Sequence, residues 1–389
     1  MPRATGPLLI AIVLAGCGQN QAPSAPQTAT DSVQNAPLDE AFLIEWDTPP
    51  PLISAYGLFT DPAHQKPSEG VIGYDINSPL FSDYATKHRF IKLPKGKQAA
   101  YREDGPLDFP VGTVIAKTFG YLADLRDPSK GERIVETRIL VRQIDGWVGL
   151  PYIWNDDATE AKLAVAGARI PVKWTHTDGN ERSLNYAVPN MNQCKQCHEN
   201  SGVMGPIGPR ASQLNKQFAY ADGEENQLAH WSKLGRLTGA PADISQAPRL
   251  AKWDDPSSGT LDERARAYLE INCAHCHNPK GPAYTSGLDL MSTQREPVRF
   301  GVMKTPVAAG RGSAGDKYAV VPGNPDESFL VHRMESTDPG KMMPAVGRLM
   351  IHDEGIALVR EWIKEMQTTH AASRKDPPSI VDTHVSKTM

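Results

Sequence analysis

Two pentapeptides place a pair of cysteines three positions apart with a histidine directly behind: Cys194-Lys195-Gln196-Cys197-His198 and Cys273-Ala274-His275-Cys276-His277. Residues at i, i+3 and i+4 share one face of a helical turn, so each motif presents two thiols and an imidazole together. Three chemistries compete for this spacing. A disulfide of the thioredoxin type would sit at the start of a helix in a βαβ unit, and neither motif has that context. A zinc site could collect the four thiolates, but it calls for no histidine at the same offset behind each pair. Covalent attachment of haem c uses every residue: each thiol bonds one former vinyl group, and the histidine turns beneath the ring to bind iron. The repeated pattern therefore points to two haem c groups, one on Cys194, Cys197 and His198, the other on Cys273, Cys276 and His277. Zinc and disulfides remain the alternatives, and His275 reads as an exposed spacer.

An iron held by one histidine has a second axial position. Met343 lies 66 residues beyond His277 and directly precedes Pro344. Proline confines the residue before it to extended conformations and cannot continue a helix, so Met343 is presented on a stiff loop. The stretch around it resembles the small, single-haem class of cytochrome c: an entry helix carrying CxxCH, the helix start Pro322-Gly323-Asn324-Pro325, a Met-Pro loop and a closing helix around Trp362. That resemblance covers residues 255–368 and implies that Met343 is the axial ligand, with Met342 and Met350 next in line. For the first motif the candidates are Met204, six residues past His198, and His230. His88 and His176 could reach if the N-terminal region docks against it, and an open or water-filled position is a further alternative.

Positioning these groups requires elements that the patterning suggests. Residues 41–188 read as a β-rich domain that could form a sandwich. Thr137, Ile139 and Val141 alternate with Arg138, Leu140 and Arg142, meet the turn Asp145-Gly146 and return as residues 147–154; a second hairpin turns at Asp178-Gly179-Asn180. No metal-ligand cluster, Ser/His/Asp pattern or phosphate loop is recognisable in it. From residue 190 the pattern shifts to short helices, predicting mainly α haem modules over 189–250 and 251–370. Thr260 to Glu263 is a capping box, Asn324 to Glu327 a helix start, and Asp353 to Met366 an amphipathic closing helix with Ile356, Val359, Ile363 and Met366 on one face. Residues 371–389 are a polar tail.

The N-terminus speaks to location. A short apolar run from Leu8 to Ala15 is too short to span a bilayer and reads as a secretion signal over residues 1–16. The sequence Leu14-Ala15-Gly16-Cys17 resembles a bacterial lipobox, which implies cleavage before Cys17 and lipidation of its thiol. An ordinary signal peptide is the alternative. Of five cysteines, four fall in the two motifs, and lipidation would account for the fifth. Gly18 in place of aspartate points, by resemblance to Gram-negative lipoproteins, to the outer membrane. Residues 17–40 are rich in Ala, Pro, Gln, Ser and Thr and read as a flexible tether. The formal charge of −4 gives no reason to invoke nucleic acid, and 32 glycines with 33 prolines point to a loop-rich body.

Taken together, the stretches 78–94, 109–119, 136–142, 146–161 and 194–215, with the C-terminal pattern, resemble a family of bacterial dihaem c-type cytochromes encoded beside parallel β-helix repeat proteins. The resemblance implies an exported two-haem protein with a β-rich N-terminal domain, redox partner proteins and, among its partners, a β-helix protein. The expected activity is electron transfer. A haem peroxidase or small-molecule oxidoreductase with an open first haem is the alternative, and a third reading makes residues 41–188 a docking module presenting Trp147, Trp154 and Trp174.

Overall fold

The computed structural model describes residues 48–366 apart from 308 and 309, and all of these belong to one packing unit. The expected signal peptide, lipidated Cys17, tether and polar tail lie outside the described residues. Six antiparallel strands form the main sheet in the order β1 (Val71–Tyr74), β2 (Thr86–Lys92), β3 (Val114–Leu122), β4 (Glu132–Gln143), β5 (Gly146–Trp154) and β6 (Ala161–Leu163). Each strand of the sheet pairs with the sheet's next strand along the chain, so the sheet is an antiparallel meander.

Period-two alternation divides its two faces between two cores. Val71, Phe90, Val114, Ala116, Ile139 and Val141 point to one side, closed by Tyr56 and Trp154. Ile72, Ile91 and Ile115 point to the other, where Leu214, Leu228 and Trp231 from beyond residue 210 cover them. A separate hairpin, β7 (Ala168–Thr175) and β8 (Glu181–Val188), packs Val172, Trp174 and Tyr186 onto Phe119 and Tyr121. The expected turn at Asp178-Gly179-Asn180 joins them, with Gly179 at φ +86°. In the β4–β5 hairpin Gln143 pairs with Gly146, which moves the turn to Ile144 and Asp145.

The expectation of mainly α haem modules is overturned: strand (28%) outweighs helix (24%). Between 189 and 250 the helices are short: α1 (Met191–His198), α2 (Ala211–Leu214) and α3 (Gln227–Lys233). They alternate with the hairpins β9 (Glu199–Asn200)/β10 (Val203–Met204) and Gln217–Tyr220/Gly223–Asn226. Beyond 251 come α4 (Leu261–Leu269), α5 (Phe329–Glu335) and α6 (Asp353–Glu365). The physical reason is the composition between α4 and α5, where Pro279, Pro282, Pro297, Pro306, Pro322 and Pro325 each remove a backbone donor and interrupt helical hydrogen bonding. Signals at helix ends are legible there, but the chain between them is turn and loop.

The predicted capping box holds: Thr260 Oγ1 accepts from Glu263 N, while Glu263 Oε2 accepts from Thr260 N. Helix α6 buries Ile356, Val359, Trp362 and Ile363 against α4. Gly355 makes this approach possible, because a Cβ there would lie 2.3 Å from the Tyr268 hydroxyl oxygen. Among the described residues no helix is long and apolar enough to cross a membrane.

The loop before β2 is stitched to the C-terminal helices. Phe81 N donates to Asn272 Oδ1, and Asp83 Oδ1 accepts from the amides of Leu349 and Met350 at 2.7 and 2.8 Å. His352 closes this contact, stacked on Phe81 at 4.1 Å and with Nδ1 2.9 Å from the Tyr268 hydroxyl. Burial pulls its pKa down to about 4, against a partial opposing pull from Glu354. An unfolded histidine titrates near 6.5, so as pH falls from about 6.5 toward 4 the unfolded chain takes the proton first and stability drains away. The expected contribution is about 2 kcal/mol lost between pH 7 and 4.5. Chemical denaturation at the two pH values should show that difference shrink by this amount in His352→Asn, and an equal loss in both proteins would contradict it.

Candidate functional site

Helix α1 displays the first motif. Asn190 caps it by accepting from Gln193 N, and the Gln193 side chain accepts from Asn190 N. The helix lies over β5 at Gly149, where a Cβ would come within 2.8 Å of Met204 Cε and 3.0 Å of Cys194 Cβ. A glycine is therefore required for Cys194 to seat. His198 Nδ1 sits 2.8 Å from the Gly205 carbonyl. A carbonyl only accepts, so Nδ1 carries the proton and Nε2 keeps its lone pair. Burial, reinforced by Lys117, draws the His198 pKa down to about 4.

The second motif follows α4 through a π-helical turn, Glu270–Ala274, that carries Cys273. His277 Nδ1 is 2.9 Å from Ser286 Oγ. That hydroxyl spends its single proton on the Ala283 carbonyl at 2.7 Å, so toward His277 it accepts. The tautomer is again the one that frees Nε2. Burial, then Arg333, brings the His277 pKa to about 4, so both imidazoles are neutral near pH 7 and able to bind a metal.

Cys273, Cys276, His277 and Met343 converge on one cavity of about 290 Å³, walled by Leu288, Leu290, Phe329 and Leu330. This is the lower end of the size range of small-molecule pockets. The Met343 loop is held by its own backbone: Met343 N donates to Arg333 O, and its carbonyl accepts from Arg348 Nη2 at 2.8 Å. Met342 is buried without lining the cavity, and Met350 packs with Tyr84 and Trp174.

Around Cys194 and His198 the cavity is narrower, about 90 Å³, and its walls differ. Lys87, Arg89, Lys117 and Arg138 line it together with Ile115 and Leu140. No methionine and no second histidine among the described residues lines it. Met204 stands beside Cys194 over Gly149. His230 is buried elsewhere, stacked on Tyr220 at 3.5 Å with Nδ1 2.8 Å from Glu225 Oε2. His88 bonds Glu132, and His176 lies against Tyr84 and Glu354.

The two motifs abut. Cys276 Sγ lies 3.5 Å from the Gln196 carbonyl, Ser201 N donates to Lys280 O at 2.9 Å, and Asn278 Nδ2 reaches Asn200 Oδ1 at 3.3 Å. Cys276 and then His275, against burial, pull the Cys197 pKa below its usual thiol range. His275, expected as an exposed spacer, is instead buried at this junction, and its Nδ1 has no hydrogen-bond partner among the described residues.

Among the described residues no group of three or more His, Cys, Asp or Glu is gathered as a metal cage. A structural zinc needs about four protein ligands at one point, whereas haem iron takes its equatorial nitrogens from the ring and asks the protein for an axial ligand or two. Sequence reasoning missed Gly149, Ser286, the Gly205 carbonyl, Arg348 and the four cations on the sheet. The basic alternation Lys87, Arg89 was visible in the strand, but nothing local indicated what that face would meet. Comparisons of the chain with protein-family models, curated proteins and solved structures found no match.

Proposed function

We propose that this chain is an exported dihaem c-type cytochrome, lipid-anchored through Cys17, that passes electrons between redox partner proteins. The observation that carries the reading is the meeting of Cys273, Cys276, His277 and Met343 on one apolar cavity. A bound haem would supply a one-electron couple between ferrous and ferric iron. The residues do the rest. The thiols tether, Ser286 and the Gly205 carbonyl orient the imidazoles, and Met343 offers a thioether from a clamped loop. Leu288, Leu290, Phe329 and Leu330 exclude water, which favours the less charged, reduced form. The contact between the motif segments would let an electron cross from one group to the other without leaving the chain.

Production in a host that matures c-type cytochromes tests this. A pyridine haemochrome spectrum with two haems per chain is expected, and tryptic mapping should find one added porphyrin mass on each motif peptide. A colourless product, or motif peptides of unmodified mass, would end the reading.

A second reading has its own support: the cavity at His198 offers no thioether or second imidazole among the described residues. On that reading the first haem has an open position and the chain is a small-molecule redox enzyme. Added imidazole would then convert one haem from high to low spin, whereas two low-spin haems indifferent to imidazole would leave the carrier alone standing.

A further inference from the structure

The sheet carries a charge pattern that its own packing does not explain. In the register of β2, β3 and β4, Arg89 stands opposite Lys117, and Lys117 stands opposite Arg138. Three cations thus form one row across three adjacent strands, and Lys87 lies two residues from Arg89 on the same face. Like charges directly opposite across a sheet are destabilising. Two carboxylates offset part of the row. Arg89 Nη1 pairs with Asp75 at 2.7 Å, and Arg138 makes a two-pronged bond to buried Glu136 at 2.8 and 2.9 Å. Asp75 is shared with Lys216, also at 2.7 Å. Lys87 Nζ donates to the Ala85 carbonyl. Lys117, in the middle, has only the Phe119 ring, 5.0 Å from Nζ, with no hydrogen bond or ion pair among the described residues. Burial, then Arg138 and Arg89, pulls its pKa to about 7. All four cations line the cavity they share with Cys194 and His198.

A half-buried lysine between two arginines is a poor structural element and a good anion receptor. We propose that the Arg89–Lys117–Arg138 row, with Lys87, is a carboxylate-binding site that receives the propionates of the porphyrin attached at Cys194 and Cys197. This rests on reading the first motif as a haem attachment point. The β sheet is then part of the first cofactor site, and a free small carboxylate is the other source the same chemistry would accept.

The test uses the mature holoprotein and the variant Lys117→Gln, with Lys87→Gln as a second. Neither change strips a carboxylate of its partner, so both are expected to fold. Peptide mass first establishes whether Cys194 and Cys197 carry porphyrin; if they do not, the functional reading fails and this site with it. Given attachment, removing the positive charge should shift the oxidation equilibrium of one haem about tenfold toward ferric. The other haem should stay unchanged, and the propionate vibrations in the resonance Raman spectrum should move. Unchanged equilibrium and vibrations would overturn the proposal, as would a change of spin state, which would make Lys117 an iron ligand. If acetate saturably shifts the spectrum of the parent protein and the shift is lost in Lys117→Gln, the carboxylate site stands and its occupant is free in solution, which overturns the propionate assignment.

Discussion

Replacing Met343 with alanine is expected to lower the reduction potential of the second haem by on the order of 0.1 V and to convert it from low to high spin, leaving the first haem as it was. The expectation follows from what shares the cavity. Cys273 and Cys276 line one side of it and would tether the proposed ring there, and His277, with its Nδ1 proton committed to Ser286, would supply one axial nitrogen. Met343 is the only methionine lining that cavity among the described residues. A thioether is a soft ligand that favours ferrous over ferric iron, so its loss moves the equilibrium toward ferric. Met342 and Met350 provide internal controls, since one is buried outside the cavity and the other packs with Tyr84 and Trp174. Met342→Ala and Met350→Ala should each retain the low-spin spectrum. A Met343→Ala protein with unaltered spectrum and potential would remove Met343 as the ligand.

Individual residues show where legibility in the sequence ends. The hairpin at Gly179, the cap at Thr260 and the closing helix from Asp353 were readable because each depends on residues within a few positions, through turn conformation, a reciprocal hydrogen bond or a repeated apolar face. The two CxxCH pentapeptides are local patterns of the same kind, legible without any distant partner. The long-range partners were not. Gly149 admits Cys194 across 45 positions, Asp83 binds the amides of Leu349 and Met350, and Lys117 meets His198 only once the sheet has formed. The helical modules were over-extended because good helix ends at Leu261 and Asp353 flank a stretch whose prolines forbid continuation. His230 shows the converse: a chemically able residue that folding commits to Tyr220 and Glu225.

Arg348 carries the other large expectation, because one buried guanidinium holds the whole Met343 loop. Its Nη2 lies 2.8 to 3.2 Å from the carbonyls of Arg333, Met334, Ser336 and Met343, and Nη1 donates to Met350 O at 2.9 Å. Arg333 and Met334 are in the last turn of α5, whose terminal carbonyls have no helical partners, so the cation caps that helix while gripping the loop. From the opposite side Asp83 accepts the amides of Leu349 and Met350. Arg348→Leu leaves several buried carbonyls unpaired, at about 1–3 kcal/mol for each one that water cannot reach, and a net loss of about 4 kcal/mol is expected. The loss should be local before it is global. Axial ligation followed by visible absorbance should melt roughly 10 °C below the far-ultraviolet transition of the sheet, whereas in the parent protein the two are expected to coincide. Arg348→Lys restores the charge but not the planar fork, and should recover only part of that gap. If the two transitions stay together in Arg348→Leu, the arginine stabilises the body as a whole and does not position Met343.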